Sequence, residues 1–437
     1  MKNWMIVICI VLAGVIWGTI PNQAEAKKEL FVSPSGSDNS KGTKNKPLKT
    51  ISKAAKIAKK GTVVTIKKGT YPEHIVLKNS GTKKEPIIFQ AEKPNTVKIT
   101  GKKKGNQEQL ILINNKQYIQ IKNIELTNFW TKKEDFTPIA IMVTGKSSHI
   151  RIEKTYIHDL GTKHKNGNAH GIAVYGNKPI KDITLVKNKL AHLKLGYSEA
   201  MVLNGDVSTF KITDNTLTKN DNIGIDIIGG EGVSASKKTD KARNGSILRN
   251  NVSYQSSKHN PAYKGEQAAG GIYIDGGENV LIKGNTSNNN DIGIEVASEH
   301  KNKVAKDIRV LNNTVRQNNY TGIAVGGYDS SVGGIKNVVI SGNILADNDK
   351  IGQEAGQLLI QSHITQLKVT NNKLYNKKAG FFISQGEKQK IKAVLSGNKY
   401  YLRTGDKFLS TWQGKRITSF SKFKKLTAET GKIIKRK

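Results

Sequence analysis

Between residues 195 and 300 the chain carries 13 Asp and Glu against 10 Lys and Arg, whereas the whole 437-residue chain has a formal net charge of +37. Carboxylates gathered in a cationic protein repel one another unless they bind a cation or share protons. Two chemistries fit: hard oxygen ligands for a divalent cation, or paired acids and bases for proton transfer. Asp226, Tyr273 and Glu295 each take the third place of a Gly-Ile-x-(Ile/Val) segment, in Gly224-Ile225-Asp226-Ile227, Gly271-Ile272-Tyr273-Ile274 and Gly293-Ile294-Glu295-Val296. Alternation of period two turns the apolar residues inward and x outward. Asp275 follows Tyr273 by two and shares its face.

These segments belong to a repeat. The pattern apolar-x-x-Asn-x-(mostly apolar) recurs at Asn188, Asn215, Asn250, Asn285, Asn313, Asn343, Asn372 and Asn398, in steps of 26 to 35 residues. Degenerate copies precede it at Ile124 and Thr155. Such a period marks stacked supersecondary units. The alternation within each unit predicts strands, and no unit has room for a long amphipathic helix. Two or three short strands per coil make an all-β parallel β-helix of about ten or more coils. An Asn at each bend tolerates a left-handed backbone and can bond its neighbours along the stack. In-register stacking then puts Asp226 and Glu295 roughly 10 Å apart, two steps across Tyr273.

The expected organisation is residues 27–118 as N-terminal cap and first coils, 119–400 as repeats, and 401–437 as C-terminal cap and basic tail. Leu48, Ile51, Ala54, Ala55 and Ala58 sit at helical spacing over residues 48–58, a short helix that would cover the first coil. Phe408, Trp412, Phe420, Phe423 and Leu426 restore aromatic and apolar bulk at the far end, as a plug or as a sugar-binding platform. The two longest coils add loops at 228–246 and 255–270, and loops on one side of a solenoid build its cleft.

Residues 1–26 read as a signal peptide: Lys2, an apolar run from Met5 to Ile20, then Ala24-Glu25-Ala26. The single Cys, Cys9, lies inside that run, so the mature chain excludes disulfides and cysteine-ligated zinc. Of the cations 63 are Lys and only 8 Arg, unlike a nucleic-acid reader. A secreted monomer that meets an acidic polysaccharide or an anionic cell-wall polymer is expected, with no nucleic acid and no membrane after signal cleavage.

The opening Phe31-Val-Ser-Pro-Ser-Gly-Ser-Asp38, then Gly42-Thr-Lys-Asn-Lys-Pro-Leu-Lys-Thr-Ile51, Lys68-Gly69-Thr70-Tyr71 and Ser80-Gly81-Thr82, resembles secreted right-handed parallel β-helix proteins. It is similar to pectate lyases of polysaccharide lyase family nine. The resemblance implies a polysaccharide lyase that uses calcium held by Asp residues and a Lys as Brønsted base. On the acidic face, Asp226, Asp275, Glu295 and Glu231 are the expected metal ligands. Lys264, in the second long loop, is the expected base, and Arg243, from the first, a carboxylate clamp. Tyr273, Tyr263, His170 and Asn204 are expected to line the substrate. Two other readings stay open: an inverting glycoside hydrolase using Asp226 and Glu295, and a non-catalytic protein binding an anionic glycan.

Overall fold

The computed structural model describes residues 28–101, 106–376, 380–386 and 391–436. The expected signal peptide, residues 1–26, lies outside the described residues. Among the described residues no helix is long and apolar enough to cross a membrane.

The chain winds into a parallel β-helix with three faces. One coil shows the plan. Gly270–Asp275 lies on the first face, Glu278–Lys283 on the second and Thr286–Asn288 on the third, before Ile292–Ala297 returns to the first. Each strand pairs in parallel with its counterpart one coil on: Ile272 with Ile294, Ile282 with Val310, Ser287 with Val315. Among the described residues the third face is a sheet of 13 strands. Two long strands, His170–Val186 and Met201–Thr213, run from the first face onto the second without a break. Inward Ile, Leu and Val from every coil, among them Ile212, Ile247, Ile282 and Val310, are fully buried and form one continuous core.

The repeated Asn residues hold the bend between the second and third faces. Asn250 donates from its backbone N and its Nδ2 to Asn285 Oδ1 at 2.8 and 3.0 Å, and Asn285 does the same to Asn313 at 2.8 and 3.0 Å. Each Nδ2 also reaches a main-chain carbonyl of the preceding coil, as Asn285 does to Ile247 O at 2.9 Å. All are buried, and the run ends on Glu429, whose carboxylate accepts from Asn398 Nδ2 at 2.7 Å. The left-handed residue at the bend is not the ladder Asn but the one before it: Asp214, Arg249, Gly284 and Asn312 have φ of 56, 53, 68 and 54. That preceding residue points to solvent and makes the turn, which frees the Asn to keep a regular backbone and aim inward. A second ladder, absent from the sequence pattern, runs through Asn220, Gln255, Asn290, Asn318, Asn348 and Gln357.

Both ends are closed. Helix α1, Ile51–Ile57, is shorter than the 48–58 expected, because Leu48 instead bridges Val32 and Thr50 caps the helix. Glu73 accepts from Ile51 N and Ser52 N at 3.0 and 2.8 Å, an anion on the open helix donors. At the other end Phe408, Trp412 and Phe423 are buried against Phe382 and Tyr400, which makes them a plug and not an exposed platform. Leu426 departs from expectation: it lies on the outer side of helix α2, Phe420–Thr427, and is 49% exposed.

Replacing Asn285 by Ala strands the Asn250 donors and a carbonyl in the core. Unsatisfied buried groups cost about 1–3 kcal/mol each, so urea unfolding should show a loss of roughly 2 kcal/mol or more. The exposed neighbour Asn251→Ala should change stability by less than about 0.5 kcal/mol.

Candidate active site

Five successive strands of the first face build the site: His170–Val186, Met201–Thr213, Ile225–Ile228, Gly270–Asp275 and Ile292–Ala297. Register brings Val202, Asp226, Tyr273, Glu295 and Ala324 onto one outward row. Asp226 and Glu295 therefore stand two coils apart with Tyr273 between them. Outward does not mean exposed here: Asp226, Tyr273 and Glu295 are 2%, 3% and 8% accessible. The long loops wall the row. The second is pinned by Asp291, which accepts from Ser257 N at 2.8 Å and Ala269 N at 3.2 Å, and by Asn260, whose Nδ2 donates to Gly196 O at 2.7 Å.

Glu199, Glu231, Asp275 and Glu299 join Asp226 and Glu295. Asp275 Oδ1 accepts from Glu299 N at 2.7 Å. Asn204 Nδ2 donates to Glu231. Ligand atoms of Glu231, Asp275 and His300 lie within 4.8 Å of one another. Three buried atoms beside them have no hydrogen-bond partner: Asn204 Oδ1, Asp226 Oδ1 and His300 Nε2. Alongside runs a cleft of about 250 Å³ lined by Tyr263, Tyr273, Tyr320, Tyr328, Glu295 and Glu299, with no Lys or Arg among the described residues of its wall.

The other expected residues are distributed differently. His170 is buried, with Nδ1 3.2 Å from Glu199 O and Nε2 3.3 Å from Tyr175 Oη, so it braces the wall. Burial lowers its pKa to about 4, which leaves it neutral at neutral pH. Tyr263 is half-buried and its hydroxyl accepts from Asn222 Nδ2 at 3.0 Å. Lys264 ends the same turn in a left-handed conformation and is exposed. Arg243 is held by Asp206 at 2.8 Å and by the carbonyls of Thr239 and Lys241, both at 3.1 Å. The structure adds His300, Tyr320 and Tyr328 to the site. His300 follows Glu295 on the loop leaving the strand, just as Glu231 follows Asp226, and that parallel was the available signal.

Residues 30–192 match the family described as Pel9A-like, right handed beta helix region, and residues 200–334 match the one described as right handed beta helix region. YwoF of Bacillus subtilis (strain 168) is 40% identical over 436 residues, covering 98% of this chain and 93% of YwoF. The chain belongs to the YwoF family of right-handed β-helix proteins. The fold is thus the pectate-lyase-like right-handed parallel β-helix that the opening residues resemble. Among solved structures, the A-module of the mannuronan C-5 epimerase AlgE6 of Azotobacter vinelandii has a TM-score of 0.58 at 13% identity, over 86% of this chain and 91% of that one. A mannuronic acid specific polysaccharide family 6 lyase from human gut microbiota has a TM-score of 0.52 at 12% identity, over 94% and 92%. At these identities the likeness is one of fold.

The electrostatics of the YwoF-family site follow from burial and crowding. Burial first, then Glu231, pushes Glu199 up to about 8. Burial first, then Glu299, pushes Glu295 up to about 8. Burial also raises Asp226 and Asp275 well above the carboxylate range, reinforced by Glu199 at Asp226 and by Glu299 at Asp275. In the absence of a cation the cluster holds protons. The residues fit a divalent cation as well: the orphaned Asn204 and Asp226 oxygens, with Glu231 and Asp275, offer hard oxygen ligands suited to calcium. His300 adds a nitrogen for an ion that accepts one, such as Mn²⁺ or Zn²⁺.

Carboxyls raised from the unfolded range near 4 to about 8 favour the folded state at low pH, and that advantage is lost as pH climbs through 8. In chelator, the melting temperature should fall by about 5 °C or more between pH 5 and pH 8.5. Millimolar calcium or manganese should restore it at pH 8.5 and do little at pH 5, read by calorimetry.

Proposed function

We propose that this protein is an extracellular polysaccharide-processing enzyme that cleaves a uronate glycan by cation-assisted β-elimination. The observation that carries the reading is the cluster of Glu231, Asp275 and His300, brought together from successive coils beside partnerless buried oxygens on Asn204 and Asp226. Glu231, Asp275, Asn204 and Asp226 would hold the cation, calcium being the first choice for oxygen ligands. A bound divalent cation neutralises the uronate carboxylate and makes the adjacent C5 proton acidic. Tyr263 and Tyr273 would pack against the sugar rings. Lys264, next to Tyr263 on the loop at the cleft's rim, is the proposed base for the C5 proton. Arg243 is proposed as a prop that holds Asp206 and the first long loop in shape. The signal-like residues 1–26 and the fold's polysaccharide-acting relatives support a place outside the cell.

A second reading is hydrolysis with inversion, and Glu295 favours it. A carboxyl with its pKa at about 8 enters neutral pH carrying the proton a leaving sugar oxygen needs. A tyrosine-rich cleft without Lys or Arg also suits an uncharged sugar.

The test is the chain from Lys27 on pectate, alginate, chondroitin and xylan, with calcium or manganese and with chelator. Elimination predicts new ultraviolet absorbance from unsaturated uronide, lost in chelator and reduced about 100-fold or more in Asp275→Asn. Reducing ends without that absorbance, abolished by Glu295→Gln, would replace elimination with hydrolysis. Folded protein inactive on every polymer would overturn both.

A further inference from the structure

On the third face, far along the chain from the acidic cluster, one outward row can be followed through the solenoid, from Lys98, Glu125, Tyr156 and Lys189 at one end to Lys373, Lys399 and Lys432 at the other. At its N-terminal end the charges are compensated. Lys98 Nζ lies 3.0 Å from Glu125 Oε1, and Lys189 Nζ sits 4.6 Å over the Tyr156 ring. At its C-terminal end three lysines stand in direct succession, about 4.8 Å apart as parallel register dictates. All three are exposed, and among the described residues none meets an acid within ion-pair distance. Like charges directly opposite on a sheet are destabilising, so the folded state carries a cost here that it avoids at Lys98.

The surroundings give that cost a use. Two residues along the same strands, Tyr375 and Tyr401 stack at 4.0 Å between ring centroids, and the Arg436 guanidinium lies 5.6 Å from the Tyr375 ring. Two further along, Arg403 pairs in register with Arg436. A row of lysines, a stacked pair of aromatic rings and two arginines, one of them folded back over Tyr375, thus lie side by side on one sheet. We infer that this surface is a second, non-catalytic site that docks an extended acidic polysaccharide along the solenoid axis. Carboxylates of successive sugars would meet Lys373, Lys399 and Lys432, whose spacing is comparable to one sugar unit, and the sugars would lie across the outer edges of the stacked Tyr375 and Tyr401 rings. The spacing favours a uronate glycan, which carries one carboxylate on each sugar, over a polyol phosphate, whose charges lie further apart along its backbone. The inference is independent of whether the acidic cluster is catalytic.

The test uses the full mature chain carrying Asp275→Asn, so that turnover does not consume the probe. Migration is measured in native gels cast with polygalacturonate, alginate or lipoteichoic acid. Lys373→Gln, Lys399→Gln and Lys432→Gln together should weaken retardation by polygalacturonate or alginate about tenfold or more, the size of effect expected when three cation–polyanion contacts go. A control with Lys93→Gln, Lys178→Gln and Lys350→Gln has the same net charge and should be retarded like the parent. The docking triple should also melt at the same or a higher temperature, because repulsion is relieved. Replacing the same three lysines by Arg should preserve retardation, and Tyr401→Ser should weaken it, so a poorly folding variant does not decide the outcome. Equal retardation of docking and control triples overturns the site. A loss seen only with lipoteichoic acid overturns the assignment to uronate glycans.

Discussion

The structure depends on in-register parallel stacking. Once the backbone of one coil hydrogen-bonds the next, every equivalent position is forced onto a line with a repeat of about 4.8 Å. The same constraint drives Ile, Leu and Val into a continuous core, lines the Asn amides into a ladder and brings Asp226, Tyr273 and Glu295 onto one row. A solenoid cannot choose the neighbours of a side chain freely. It can only choose which residue each coil contributes to a row.

Seen in this light, the acidic centre is a managed conflict. Tyr273 separates Asp226 from Glu295 on their row, and Asp275, Glu231 and Glu299 come in from the next position and the loops. The pile-up is tolerated because burial lets the carboxyls keep protons, and because oxygens left without partners offer a seat to a cation. A protein with a net charge of +37 has ample lysine to neutralise such a cluster, yet the cleft wall has none. The arginine nearest in sequence to this region, Arg243, is tied to Asp206 instead.

How much of this was legible in the sequence follows from periodicity. The Asn spacing and the Gly-Ile-x-Ile segments gave the architecture, the outward row and its order, since these depend only on a repeat read along the chain. Features that depend on loop conformation were less accessible. The turn ending at Lys264 exposes its side chain, and the loop leaving Ala297 brings His300 to Glu231 and Asp275; neither geometry has a periodic signature. The left-handed residue at each bend lies one position before the Asn that the sequence points to, because Asn is a usual occupant of that conformation and Lys187 or Arg249 is not. The second amide ladder has no fixed signature along the chain because it mixes Asn with Gln and crosses loops of unequal length.

The Asn ladder has a direction. In the amide-to-amide bonds each Asn donates toward the C-terminus and accepts from the N-terminal side, so the side-chain dipoles add head to tail, and a chain of such bonds polarises along its length. The stack therefore has an electropositive pole at Asn398, in the way an α-helix has one at its N-terminus. Glu429 sits on that pole, buried, with Tyr400 and Gly431 N donating to the same carboxylate at 2.7 Å each. The C-terminal plug is thus an electrical terminus as well as a steric one. Without it the last coil would present aligned donors and an open strand edge, the surface on which another copy of the chain could continue the winding.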